Sequence, residues 1–166
     1  MTKPGPRPGK YLIFRVGNER YAIALSEVRE VIAMTGMTRL PSVNESLEGV
    51  FNLRGKILSV ADLRHMLAQS DTASKRPCII AVDINGFEVA NIVDDVIEVC
   101  TFKAEQLDGS ISEYSFEGVF KDFILGVAKT RIPALADSGG KEIEQLTILL
   151  DIERLLNLNL QAKVAS

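Results

Sequence analysis

The sequence predicts a mainly β fold in which two small barrels pack against each other. Short apolar runs rich in Val, Ile and Leu alternate with Gly-, Asn- and Pro-marked turns along most of the chain. Four blocks recur in the same order in the two halves. Helical signals are brief, confined to short stretches such as those after Asp62 and Asp151.

Taken in order, residues 1–10 are rich in Pro and Gly and read as a disordered lead-in, without the apolar segment of a signal peptide. Tyr11-Leu12-Ile13-Phe14-Arg15-Val16 and Tyr21-Ala22-Ile23-Ala24-Leu25 flank the turn Gly17-Asn18-Glu19-Arg20, which predicts a β-hairpin. The next stretch, Ser26 to Ile32, reads two ways: Ser26 caps one helical turn, or the Val and Ile content makes a strand from Val28 onward. Pro41 and the polar run Ser42 to Ser46 mark a loop. Gly49 to Val60 predicts two strands about a tight turn at Arg54-Gly55, and Asp62 to Leu67 opens a short helix. Gln69 to Pro77 is a polar linker, after which the strand pattern resumes until a closing helix over 151–158.

The repeat sets the domain organisation. Ser26 to Ile32 aligns with Asp94 to Cys100, and Leu12 to Val16 with Ile80 to Ile84, both at an offset of 68 positions (28 to 96). Gly49-Val50 aligns with Gly126-Val127 at an offset of 77, and Asp62 to Leu67 with Asp151 to Leu156 at 89, so the second copy carries longer loops. Each copy supplies about five short strands and a brief helix, too little core to stand well alone. The expected layout is one domain over 11–158, with a first barrel over about 11–70, a second over about 78–150, a helix over 151–158 and a tail over 159–166. Intertwining at the barrel ends is compatible with this layout.

Composition narrows the function. The chain has 166 residues, 46% hydrophobic and 25% charged, with a formal net charge of −3. An acidic protein of this kind lacks the basic field that nucleic-acid binding requires. No apolar run approaches the roughly 20 residues of a membrane-spanning helix, which predicts a cytoplasmic protein with no direct membrane insertion. There is one His and there are two Cys. His65 has no orienting carboxylate other than Asp62, and Cys78 and Cys100 lack metal-ligand spacing, reading as reduced buried thiols with a disulfide or metal site as the alternative. Asp94-Asp95 reads as a strand-end turn, because a phospho-accepting pair needs a parallel α/β context that is missing. Gly139-Gly140 begins no phosphate-binding motif. The expectation is a binding protein without enzymatic activity or cofactor.

One segment stands apart: Gly49-Val50-Phe51-Asn52-Leu53-Arg54-Gly55, continuing through Lys56 to Asp62-Leu63-Arg64. Glycines bracket a strand and a turn, and the planar guanidinium beside that turn suits bidentate capture of a carboxylate. Together with Val28 to Val31, Val96 to Val99, the opening Phe14, Gly17, Tyr21 and Ala22, and the closing Leu149-Leu150-Asp151-Ile152 with Leu155-Leu156, this block resembles the CheW-like coupling proteins of bacterial chemotaxis. The resemblance runs from about Tyr11 to Leu158. It departs between Phe120 and Leu146, where the segment Arg131 to Gln145 is longer than the compact turn common in the family.

The resemblance implies two SH3-like five-stranded β-barrel subdomains around a shared hydrophobic groove. It also implies a non-catalytic adaptor, recruited to membrane-associated arrays, that joins chemoreceptor hairpin tips to the regulatory domain of the histidine kinase CheA. Matched position by position, Glu30 and Arg54 are expected to form a salt bridge at the groove, with Val28, Val82, Val89 and Ile92 as groove walls and receptor contacts. Kinase contacts are expected at Val31, Met34, Met37 and Leu40, and Gly49, Asn52, Leu53, Gly55 and Asp62 form the structural motif. Arg131 occupies the position equivalent to Arg54 without the surrounding Asn-Leu and Gly, which predicts one receptor site rather than two. The pathway served, whether flagella, pili or second-messenger control, is left open.

Overall fold

A computed structural model describes residues 5–33, 47–67, 77–114, 119–133 and 139–157. The strands are β1 (Gly9–Val16), β2 (Glu19–Ala24), β3 (Val28–Ala33), β4 (Leu47–Leu53), β5 (Lys56–Asp62), β6 (Cys78–Ile84), β7 (Phe87–Val93), β8 (Asp95–Phe102), β9 (Leu107–Asp108), β10 (Ile124–Pro133) and β11 (Glu142–Leu150). Helix α1 is Leu63–Leu67, and residues 152–157 are helical. The ambiguous stretch around Ser26 divides: Leu25–Glu27 is a single 3-10 turn and the strand starts at Val28. The loop at Pro41 and the linker from Gln69 lie outside the described residues, except for Pro77.

The strands form two curled sheets, ordered β8-β1-β2-β11-β10-β9 and β3-β6-β7-β5-β4. These are six- and five-stranded rather than five and five, and they do not divide the chain at its midpoint. The β1–β2 hairpin leaves the first half to join the second half's sheet, while β6–β7 makes the reciprocal move. A first barrel over 11–70 and a second over 78–150 are therefore replaced by two barrels that exchange hairpins. The lead-in expected to be disordered over 1–10 also differs, since β1 already begins at Gly9.

Backbone register confirms the repeat. Val28 pairs with Val82 and Glu30 with Ala81, which leaves Arg29 as an extra residue. Moved by 68 positions, the same break recurs where Val96 pairs with Phe14 and Glu98 with Ile13, leaving Ile97 as the extra residue. The break at Leu47/Gly49 of β4 recurs at Ile124/Gly126 of β10, opposite Ala61/Val60 and Leu150/Leu149 respectively. The parallel pairings Ser59–Val89 and Ile148–Tyr21 are likewise equivalent. Loops diverge between the copies; strand registers and bulges do not.

The core has three layers. Leu58, Val60, Ile79, Ala81, Ala90 and Ile92 fill the five-stranded curl, joined by Ile32 and Leu53 from its two edges. Tyr11, Ile13, Ala22, Phe102, Ala128 and Leu149 fill the six-stranded curl. Between the sheets lies the largest cluster, including Phe14, Ile23, Ile80, Val82, Val89 and Ile148, with Ile152, Leu155 and Leu156 from the closing helix. The central strands are thus buried on both faces, which is why they read as continuous apolar runs rather than as alternations. Polar atoms in the core are used as fasteners: buried Asp94 accepts the Gly17 N–H at 2.7 Å and donates its own N–H to the Arg15 carbonyl at 3.0 Å, pinning one turn onto the opposite repeat.

Glu27 shows the cost of joining the halves. It is half-buried beside Asp151 and Glu153 at the start of the closing helix, and burial first, then these two carboxylates, pushes its carboxyl from 4.5 up to about 7. A raised acid favours folding when protonated, so this contribution is full below about pH 4.5 and is lost as pH rises through about 7. Glu27→Gln should therefore stabilise the protein at pH 8 by about 1 kcal/mol after solvent screening and be nearly neutral at pH 4, as read by urea denaturation. The exchanged hairpins give a second prediction. A fragment of residues 1–76 contains β1–β2 without their partners β8 and β11, and should show no cooperative thermal transition by circular dichroism.

Candidate functional site

The turn between β4 and β5 is built by local chemistry. Arg54 and Gly55 have φ of 51° and 87°, the pattern of a type I′ hairpin turn, and the Asn52 side-chain oxygen accepts the Gly55 N–H at 2.8 Å. Left-handed backbone is unfavourable for Arg by about 1–2 kcal/mol, and the Asn52 bond helps to hold it. The turn delivers the Arg54 guanidinium to Glu30 of β3, at 2.5 Å.

β3 and β4 are the opposite edges of the five-stranded sheet, so this ion pair joins one edge to the other and clasps the curl closed. The expected salt bridge is present, and both its members belong to the five-stranded sheet. Arg54 is 78% exposed against 29% for Glu30, so the pair contributes at most about 1 kcal/mol to stability and leaves most of the guanidinium open to solvent.

Parallel register brings the β4–β5 and β6–β7 turns to the same end of the sheet. There Arg29 pairs with Asp83 and Lys56 with Glu88, each at 2.9 Å. The Gly86 N–H, assisted by Arg29, holds the Asp83 carboxyl below its usual range. Ile57 and Phe87 lie two residues before the Ser59–Val89 pairing and are 69% and 70% exposed. Sequence reasoning passed over both, because a strand apolar on both faces gives no signal for which face is outside. Their position beside turns with positive φ was the available clue.

The remaining expected residues separate by burial. Val28 is half-buried against the central layer and Val31 is exposed on the edge strand. Val82 and Val89 are buried in the layer between the sheets and Ile92 inside the five-stranded curl, so they have no contact face of their own. Met34, Met37 and Leu40 lie outside the described residues. Gly49 sits at the β4 bulge, and Leu53 packs inside the five-stranded curl. Buried Asp62 accepts three hydrogen bonds from Arg64: the backbone N–H at 3.0 Å, Nε at 2.9 Å and a terminal guanidinium nitrogen at 2.8 Å. The Asp-Leu-Arg motif thus fixes the entry to α1, and His65 stays exposed with Nε2 3.8 Å from Asp62.

Both cysteines are half-buried, and burial, with Glu98 adding to it, pushes the Cys100 thiol up to about 11. Such a thiol is protonated and poorly reactive at neutral pH. Among the described residues no group of three or more His, Cys, Asp or Glu is placed to hold a metal ion, and no helix is long and apolar enough to cross a membrane.

Among the described residues the clasp occurs once. In the other repeat Arg131 lies within β10 and meets Glu142 at 3.8 Å, while Glu98, the equivalent of Glu30, is met by Arg20 at 3.7 Å.

Comparison with known proteins agrees with this architecture. The crystal structure of the scaffolding protein TtCheW from Thermoanaerobacter tengcongensis is similar with a TM-score of 0.67 and 29% identity, covering 87% of this chain and 89% of that one. The chemotaxis protein CheW of Klebsiella aerogenes is 30% identical over 149 residues, 89% of this chain and 81% of its own. The chemotaxis protein CheW of Bacillus subtilis is 32% identical over 114 residues, 68% of this chain and 70% of its own. The CheW-like domain model matches residues 10–159, and the chain belongs to that family.

Proposed function

We propose that this protein is a non-catalytic chemotaxis adaptor, working in the cytoplasm at receptor arrays, that couples chemoreceptor hairpin tips to the regulatory domain of the histidine kinase CheA. The observation that carries the reading is the single rim on a duplicated scaffold. Arg54 is clasped to Glu30 yet mostly exposed, with Ile57 and Phe87 open to solvent at the same end of the sheet. A cation beside exposed aliphatic and aromatic surface suits the side of a helical hairpin that presents carboxylates and apolar residues together.

In this reading Val28, Glu30 and Arg54 contact the receptor, and Val82, Val89 and Ile92 set the shape of the surface from below. The kinase domain takes the β3 edge at Val31 and the following Met34, Met37 and Leu40. Two barrels related by an internal repeat offer two related faces, so a partner of the same fold can pair barrel to barrel and extend the contact into a ring.

Arg54→Ala should weaken capture of a receptor cytoplasmic fragment by about tenfold or more in a pull-down. Its effect on urea stability should stay within about 1 kcal/mol, because the pair it breaks is exposed. Arg131→Ala should leave capture unchanged; equal losses for the two variants would refute a single asymmetric receptor site. The partner assignment is tested by co-sedimentation with receptor hairpin and CheA, where absence of a ternary complex would overturn it.

A further inference from the structure

The segment leading into β1 is held at two points. Pro6 lies against two glycines: a Cβ added to Gly126 would stand 2.7 Å from Pro6 Cγ and 2.6 Å from the Asp108 carbonyl oxygen. One added to Gly109 would stand 3.3 Å from Pro6 Cδ. At the following residue the Arg7 carbonyl accepts a hydrogen bond from the Tyr11 hydroxyl. The Tyr11 ring is buried and packs on Phe102 with centroids 5.5 Å apart.

These contacts cross the open side of the six-stranded sheet. β1 begins at Gly9 opposite Phe102 of β8, which is one edge, whereas Gly109 and Gly126 flank the β9–β10 pairing at the other. The five-stranded sheet closes the same gap with Arg54 and Glu30, and the equivalent Arg131 and Glu98 are engaged elsewhere. One barrel is fastened by an ion pair and the other by the chain's own lead-in.

The chemistry of the second fastening is that of proline recognition. Pro4, Pro6 and Pro8 alternate with other residues, a composition that favours extended polyproline-II backbone. Such backbone loses little entropy on docking and leaves its carbonyls free. A floor of two residues without side chains admits a flat pyrrolidine ring, and a tyrosine hydroxyl takes the neighbouring carbonyl. We propose that the six-stranded sheet carries a docking slot for an extended, proline-bearing segment, formed by Gly109, Gly126 and Tyr11, and that residues 5–8 of the same chain occupy it as a strap. The slot lies on the other sheet from Arg54, and its existence does not depend on the receptor assignment.

Hydrogen exchange on the full chain tests this. Pro6→Ala and Tyr11→Phe should each raise exchange across the Val127–Asp108 and Ala128–Leu107 pairings by about tenfold, leaving Val60 and Ala90 of the other sheet unchanged. A synthetic peptide of residues 3–9 at millimolar concentration, the range in which a tethered segment acts, should restore protection to the Pro6→Ala protein. It should fail to do so once Gly109→Ala is added. Unchanged exchange in both variants, a rise spread evenly over both sheets, or no rescue by the peptide would overturn the proposal.

Discussion

Because β1–β2 and β6–β7 each leave the half of the chain that encodes them, the layer between the sheets is built from both repeats at once. Phe14 and Ile23 come from one hairpin and Ile80, Val82 and Val89 from the other, all within the same cluster. Neither curl can be completed by its own repeat, and the interface that relates the barrels is therefore core rather than a docking contact between finished domains. The relative placement of the two barrels is fixed by the same burial that stabilises them. Such a frame holds surfaces on the two barrels in a more defined geometry than two barrels on a linker would.

On that symmetrical frame the fastenings differ. Strand registers and bulges are preserved between the copies, because shifting any of them by one residue would turn a doubly buried strand inside out. Loops and rims escape this constraint, and it is there that the copies diverge. The first repeat keeps the short Arg54-Gly55 turn and its ion pair across the sheet edges. The second extends β10 and β11 well past that point, with Arg131 taken up by Glu142. The repeated strands form the scaffold, and the difference between the two turns and their flanking strand ends leaves the clasp on one sheet among the described residues.

This division also explains what was legible in the sequence. Hairpins, the short helices and the Arg54-Gly55 turn are written in local residue types, and the repeat is visible because its core positions are conservative in size. The Glu30–Arg54 pairing was reachable only through the family resemblance, since its partners stand 24 residues apart on opposite sheet edges. Hairpin exchange was not legible, because a β-hairpin with two apolar faces carries no mark of which sheet it enters. For the same reason Val82, Val89 and Ile92 were expected as groove walls and are core, while Ile57 and Phe87, which the sequence left unassigned, are exposed. Pro6 was misjudged on composition: a Pro- and Gly-rich stretch reads as disorder until a glycine-floored surface is present to receive it.

The edges show how such a molecule stays discrete while remaining able to bind. β3 and β8 are equivalent edge strands, with Val31 exposed on one and Ile97 and Val99 on the other. A flat apolar edge is a template for unlimited strand addition. Each of these carries a bulge at the same repeat position, with Arg29 or Ile97 as the extra residue, and a bulge bends the strand and interrupts the ladder a further strand would need. Side chains remain available to a shaped partner, while continuous backbone pairing is discouraged. Since the bulge lies between a doubly buried ladder and solvent, it cannot be removed without moving the register beneath it. Resistance to edge association and the conserved core are thus one constraint seen from two sides.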